Sequence, residues 1–206
     1  MDKALKNRVI TLYKGAPVLS KMYLRLRLAL APFFDLHGRI EEREGRIYDL
    51  GCGIGLLSNM LSLAYPGLEV IGIDSSDKVA IARATERKTV SFIKSNILEF
   101  DYGNADAFVM MDILHHLSFE EQDLALKKIY GALKPEGKLY IMDVDVKPVL
   151  KYGISRLADC ASRSKVYHRR IDGIVSLLED NNYIIEEKTR ADRGRVVPHI
   201  FVKCRK

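Results

Sequence analysis

"RIYDLGCGIGLLSNML", residues 46–61, holds three glycines within five positions. A strand-like run, Arg46–Leu50, precedes them, and a helix-like run begins at Leu56. Glycine permits a tight turn and lets a ligand approach the backbone closely. A helix start offers amide N–H groups that have no partner inside the helix. Strand, glycine turn and helix in that order suit a nucleotide-like ligand. The dinucleotide fingerprint is G-x-G-x-x-G, with pyrophosphate at the helix start. Here Gly51, Gly53 and Gly55 are spaced G-x-G-x-G, and Leu56 stands where the third glycine of that fingerprint would be. Asp49 precedes the turn, and an anion so close disfavours a pyrophosphate. A cofactor carrying an ammonium group fits better.

The rest of the chain reads as one soluble globular domain of 206 residues, 48% hydrophobic and 29% charged. Nothing resembles a signal peptide or an apolar run of membrane length. Cys52, Cys160 and Cys204 form an odd, scattered set that suits neither a disulfide framework nor a zinc site. The expected compartment is the reducing cytoplasm. The net charge of +6 is uneven. Residues 1–44 carry 9 Lys/Arg and 5 Asp/Glu, residues 45–146 carry 10 and 15, and residues 147–206 carry 14 and 7. Such basic flanks are read first as solvated surface charge. The functional reading is attraction to an anionic acceptor, a membrane face or nucleic acid.

From residue 45 onward short apolar runs alternate with amphipathic ones. "RIYDL", "LEVIGID", "TVSFIKS", "ADAFVMMD" and "GKLYIMDVD" read as strands. "LLSNMLSLA" and "SDKVAIARATER" read as helices, the second capped by Ser75 or Ser76. "SFEEQDLALKKIYGALK" opens with Ser118 and Glu121 in capping-box spacing, and Leu126, Ile129, Tyr130 and Leu133 then recur on one helical face. "IDGIVSLLEDN" is a further helix, and "YIIEEK" and "VVPHIFVKC" are closing strands. Alternation of this kind predicts a parallel sheet with helices on both faces. The final two strands are joined only by "TRADRGR", too little chain for a parallel crossover, so the last strand is expected to run antiparallel. Residues 1–40 read as a helical N-terminal cap, 45–146 as the core, 147–170 as a basic, aromatic insertion on the ligand side, and 171–206 as the closing helix and strands.

The ordered motifs carry a family resemblance. "DLGCGIG" resembles motif I of the class I S-adenosylmethionine (SAM)-dependent methyltransferases. "VIGID", "SNILEF", "ADAFVMMDILHHL" and "LKPEGKLYIMD" follow in that family's order, so the resemblance covers residues 46–143. It implies an α/β, Rossmann-like, seven-stranded sheet in order 3-2-1-4-5-7-6 with strand seven reversed. SAM is then the cofactor and S-adenosylhomocysteine the product. The "D-x-x-H-H" run is similar to that of small-molecule methyltransferases of the ubiquinone and menaquinone type.

The resemblance implies roles for particular residues. Asp74, at the end of the second strand, accepts hydrogen bonds from both ribose hydroxyls. Asp49 helps hold the methionyl ammonium, through water or the turn, and Gly51, Cys52, Gly53 and Gly55 line the cofactor. Ser75, Asn96 and Ile97 lie at its ribose and adenine end. Asn96 departs from the family's usual Asp there, which leaves a neutral amide carbonyl as acceptor. Met111 and Asp112 end the fourth strand beside the methyl group. His116 is the candidate general base, with His115 ranked behind it, and Asp112 and Asp143 are the accompanying catalytic carboxylates. Asp143 and Asp145 invite a magnesium reading, but the pattern of catechol-type enzymes is missing and no metal site is expected. Tyr13, Tyr23, Tyr152, Tyr167, His168, Arg169 and Arg170 are candidate acceptor contacts, with ordinary packing as the competing reading. His199, inside the last strand, reads as structural.

The expected reaction is in-line transfer of the SAM methyl to a small-molecule or lipid-like acceptor, driven chiefly by alignment. Three alternatives stand beside it. A nucleic-acid methyltransferase would use the basic flanks, although the Asn/Asp-Pro-Pro-aromatic motif and the cysteine pair of base methylation are missing; ribose methylation stays open. A non-catalytic SAM-binding subunit is the second. A nicotinamide-dependent dehydrogenase is the third, opposed by the glycine spacing. Residues 21–34, "KMYLRLRLALAPFF", mix cations with large apolar side chains, and read as a cap over the cofactor in preference to a membrane-surface helix.

Overall fold

The computed structural model describes residues 3–145, 165–190 and 198–206. Tyr152 and the basic positions Lys147, Lys151, Arg156 and Arg163 lie outside the described residues, as does Cys160. Seven strands form one sheet in the order β3-β2-β1-β4-β5-β7-β6. They are β1 Glu44–Leu50, β2 Gly67–Asp74, β3 Val90–Lys94, β4 Ala105–Met111, β5 Leu133–Val144, β6 Ile184–Arg190 and β7 His199–Arg205. The chain divides into two compact units, Met1–Asp101 and Tyr102–Lys206.

In the first unit β1 pairs in parallel with β2, and β2 with β3. Ile47, Leu50, Val70 and Ile73 are fully or almost fully buried, as continuous apolar runs in a parallel sheet require. Helix α4, Leu56–Ala64, starts directly on Gly55 and buries every residue from Leu56 to Ser62. Its partners are α1, Lys3–Leu12, α3, Phe33–Arg39, and strands β2 and β3. Leu5 and Val9, one turn apart on α1, are its buried face. Between α1 and α3 lies α2, Val18–Leu30.

Helix α5, Val79–Arg83, is shorter than its sequence pattern predicts, and neither Ser75 nor Ser76 caps it. The cause is Asp74, whose Oδ1 accepts the Ser76 N–H at 2.8 Å and holds residues 75–78 in a turn. At the other end the Thr85 hydroxyl donates to the Ala82 carbonyl and Arg87 pairs with Val90, which stops the helix.

In the second unit β4 and β5 are parallel, while β7 runs antiparallel to both β5 and β6. The short final link therefore has the expected consequence. Helix α6, Phe119–Ala132, begins with the full capping box: the Ser118 hydroxyl accepts from the Glu121 N–H and the Glu121 carboxylate from the Ser118 N–H. Strand β5 starts earlier than expected, because Leu133 already pairs with Ala105. The register then shifts before Lys138 meets Ala107, and the Lys134–Gly137 segment, where Pro135 has no N–H to give, sits in the irregularity. Helix α7, Ile171–Asp180, packs its Ile174, Val175, Leu177 and Leu178 face toward β6 and β7.

Candidate functional site

Open α/β sheets bind ligands beyond the carboxyl ends of their strands. In the first unit those ends are Leu50 of β1 and Asp74 of β2. The chain leaves β1 through Gly51, Gly53 and Gly55, all at positive φ, and enters α4. The turn is locked from β2. Gly51 and Cys52 N–H both donate to the Ile73 carbonyl, at 2.8 and 3.1 Å. Gly53 N–H donates to Asp74 Oδ2 at 2.8 Å, and Gly55 N–H to the Cys52 carbonyl at 2.9 Å. These amides already have protein acceptors, so the turn is not the bare anion cradle that a pyrophosphate needs. What it presents is carboxylate and bare Cα. Asp74 is half-buried, and each of its oxygens takes one backbone N–H while keeping a lone pair for a hydroxyl. A Cβ on Gly53 would meet nothing within 4 Å, so the surface there is open.

Asp49 is 2% exposed and turned onto α4, where Oδ2 accepts from both the N–H and the hydroxyl of Ser58. Burial pushes its carboxyl up to about 7, against the pull of the Ser58 hydrogen bonds and with a smaller push from the Asp74 charge. Its grip on an ammonium would run through the turn it braces. Cys52 is buried, and burial together with the Asp49 and Asp74 charges pushes its thiol far up, so it packs and does not react. Asn96 is exposed, and its side-chain carbonyl accepts the Leu98 N–H at 3.0 Å in an Asx turn, followed by the buried Ile97.

Tyr13 does not lie in an open acceptor pocket. It is 2% exposed, its hydroxyl donates to the Ile54 carbonyl at 2.8 Å and accepts from Asn59 Nδ2 at 2.9 Å. Asn59 also donates to the Gly55 carbonyl and to Thr85, and Arg87 donates to Asn59 Oδ1. This buried network fastens the end of α1 to the underside of the glycine turn. Tyr23 stands on the exposed side of α2, with the Lys78 ammonium 5.3 Å from its ring centre.

In the second unit β4 ends at the buried Met111, and Asp112 follows with φ at 54°, in the left-handed region. The Asp112 N–H donates to the Met142 carbonyl, and Oδ1 is 2.9 Å from His199 Nε2. The next turn is a single 3₁₀ turn, Leu114–His116. It sets the two histidines at different depths: His115 is buried and His116 exposed. Asp143, from the end of β5, holds His115 twice, accepting its N–H at 3.0 Å and pairing with ring Nδ1. An ionised carboxylate can only accept, so beside an ionised Asp143 the ring nitrogen Nδ1 is the donor. His168 stacks on the His115 ring at 4.8 Å, and His116 lies tilted against it at 4.2 Å.

Gln122 of α6 gathers this corner. Its amide donates to the carbonyls of Leu114, Leu117 and Tyr167, and its Oε1 accepts from Arg169 Nε at 2.6 Å. Tyr167 N–H donates to the His115 carbonyl, which lays residues 165–169 on the histidine turn. Arg169 also covers the Phe119 ring, and Arg170 forms the start of α7. Asp145 is buried and pairs with Arg190. Among the described residues, no three His, Cys, Asp or Glu side chains are grouped to hold a metal.

Asn59, Ser58 and Gln122 escape a reading of the sequence. For Ser58 and Asn59 the available signal was a hydroxyl and an amide side by side in the largely apolar stretch "LLSNMLSLA".

Comparison with known proteins gives one consistent result. A methyltransferase-domain family model matches residues 48–141. An uncharacterized methyltransferase of Bacillus cytotoxicus is 31% identical over 151 residues, spanning 68% of this chain and 69% of the relative. Among solved structures, human N-acetylserotonin methyltransferase in complex with SAM superposes with a TM-score of 0.70 at 17% identity, covering 85% of this chain. This chain spans only 52% of that enzyme's length. Magnesium protoporphyrin IX methyltransferase of Synechocystis with bound S-adenosylhomocysteine gives a TM-score of 0.70 at 18% identity, over 97% of this chain and 93% of the other. At these identities the structural matches speak for the fold.

Proposed function

The chain belongs to the class I SAM-dependent methyltransferases, and from that premise we propose that it methylates a hydroxyl group on a small molecule. SAM is the cofactor, and when bound it supplies a methyl group already activated by its sulfonium. The residues present fit it. Asp74 has lone pairs for two ribose hydroxyls, the turn at Gly53 is open above the backbone, and the amides are engaged in a way that suits a cationic ligand and not a pyrophosphate. Asp49 braces that turn through Ser58. Met111 and Ile97 are assigned to apolar contact with the cofactor, and Ser75 and Asn96 to its polar rim.

The observation that carries the hydroxyl reading is the His115–Asp143 pair with His116 set against it. A hydroxyl keeps its proton at neutral pH, so its attack profits from a base. His116 is the exposed imidazole, and we assign the proton to it. Asp143 acts through His115 as a positioning residue, and His199 holds Asp112 in place. Tyr167 and Arg170, on the segment beside the histidine turn, are the assigned acceptor contacts, with Tyr23 and Tyr152 as further ones. The N-acetylserotonin methyltransferase among the structural matches supports a small-molecule acceptor by analogy of fold.

The test uses SAM with a labelled methyl group, the protein and a host-cell extract, followed by separation of small-molecule, lipid, RNA and protein fractions. Label is expected in the small-molecule fraction. His116→Ala should lower its rate on the order of a hundredfold or more with SAM binding retained by calorimetry. Label in RNA would replace this reading with nucleic-acid methylation, and SAM binding without any labelled product would make the chain a non-catalytic subunit.

A further inference from the structure

Among the described residues, five of the eight exposed large apolar side chains lie on one helix. Val18, Leu19, Met22, Tyr23 and Leu26 of α2 are 71%, 79%, 62%, 36% and 55% exposed. At 3.6 residues per turn these positions share one side of the helix, while Leu24 and Leu28 on the opposite side are buried. Isolated exposed apolar residues need no explanation, but a continuous stripe does.

The charge around the stripe identifies what it meets. Residues 3–34 contain seven Lys/Arg and no Asp or Glu. Lys14 and Arg25 are exposed, and Lys21 is half-exposed along the edge of the stripe. Lys78, from the start of α5, adds an ammonium over Tyr23. A second copy of the chain would bring the same cations against each other, since a two-fold contact pairs a surface with itself. A nucleic acid would satisfy the cations and leave the leucines and methionine against phosphate. An apolar stripe bordered by cations and free of acids matches the interface of an anionic bilayer, with side chains in the acyl boundary and Lys/Arg among headgroups.

We propose that the exposed face of α2 docks this protein on the surface of an anionic lipid membrane. The helix has 13 residues, about 20 Å, and no helix among the described residues is long and apolar enough to cross a membrane. Docking is therefore in the plane of the interface. The stripe shares Tyr23 with the acceptor contacts assigned above, but no residue substituted below belongs to those contacts, the cofactor turn or the histidine corner.

Flotation of the full chain tests it, with vesicles of phosphatidylcholine alone and of phosphatidylcholine and phosphatidylglycerol in equal parts. The protein should float with the anionic vesicles, remain behind with the neutral ones, and release as salt is raised. Lys21→Gln and Arg25→Gln should each weaken binding about fivefold. Leu19→Glu with Met22→Glu should abolish it while SAM binding by calorimetry stays at the wild-type value. Absence of flotation at low salt, or flotation that survives the double change, overturns the proposal. So does a wild-type dimer that the double change converts to monomer by sedimentation, or RNA retention lost in the same variant without vesicle binding. Should the double variant fail to bind SAM, the two single charge substitutions and the salt series decide alone.

Discussion

Asp74 and Gly53, 21 positions apart, meet at 2.8 Å: the carboxylate at the end of β2 accepts the amide in the middle of the glycine turn. The same carboxylate ties down Ser76 with its other oxygen. One side chain thus shapes two loops and still faces the space assigned to the ribose. Asp74→Ala should weaken SAM binding on the order of a hundredfold, since two hydrogen bonds to a charged group are lost with the shape of the turn. Calorimetry reads it, and an unchanged affinity removes the ribose assignment.

Tyr13→Phe deletes one oxygen from a buried network. The Ile54 carbonyl loses its donor, and one Asn59 N–H its acceptor. Stability should fall by about 1–3 kcal/mol in denaturant titration. Because both partners belong to the turn and α4, the KM for SAM should rise as well. A drop in stability with no change in SAM affinity would confine Tyr13 to packing.

Gly55 sits at φ 78°, and a Cβ there would lie 2.5 Å from the Phe92 ring and 3.0 Å from Ala82. Gly55→Ala should cost about 1–2 kcal/mol for the backbone alone and more for the clash. Combining it with Phe92→Leu should give back part of the loss. Strict additivity of the two melting-temperature changes would show that the ring is not the obstacle.

Asp49 makes stability depend on pH. Its carboxyl sits at about 7 in the folded protein against an ordinary 3.8, so the folded state holds the proton more tightly. Acidification from pH 7 toward 4 therefore stabilises through this group, and above pH 7 the full cost of the buried charge is present. The slope is at most about 1.4 kcal/mol per pH unit. Cofactor-free wild type should lose stability relative to Asp49→Asn as pH rises through that window, then run parallel to it. Parallel curves throughout would mean that Asp49 stays ionised.

Asp143→Asn keeps the shape beside His115 and removes the charge. It should cost about 1.5–3 kcal/mol, because the hydrogen bonds to His115 and Val144 lose their charge assistance. If His116 depends on a seated His115, kcat should fall while the KM for SAM holds. A pH–rate profile that keeps its acid limb in place would argue that another group takes the proton.

The parallel sheet, the glycine turn and the reversed last strand were legible because each depends on local pattern: alternation, spacing, and the length of "TRADRGR"; the strand order was legible only through the resemblance of the ordered motifs to a known family. The Ser118–Glu121 box was legible for the same reason. Contacts between distant positions were not. Nothing in the order of residues shows that Asp143 reaches back 28 positions to His115, or that a 3₁₀ turn buries that histidine and exposes its neighbour. Helix α5 was overread because its periodicity continues through residues that Asp74 and Thr85 pull into turns. Tyr13 reads like a pocket residue in an amphipathic segment, and only packing against Asn59 reveals its attachment.

The place of β7 bears on how the second unit comes together. It is made after β6 yet lies between β5 and β6, antiparallel to both. Until residues 199–205 leave the ribosome, the buried apolar strand β5 has an open edge facing an unfilled gap, the kind of edge that templates association with other chains. Strands β6 and β7 are close enough in sequence to pair first and to dock as one hairpin. Their arrival should be the slow, long-range step of folding, and the interval in which nascent chains rely most on chaperones.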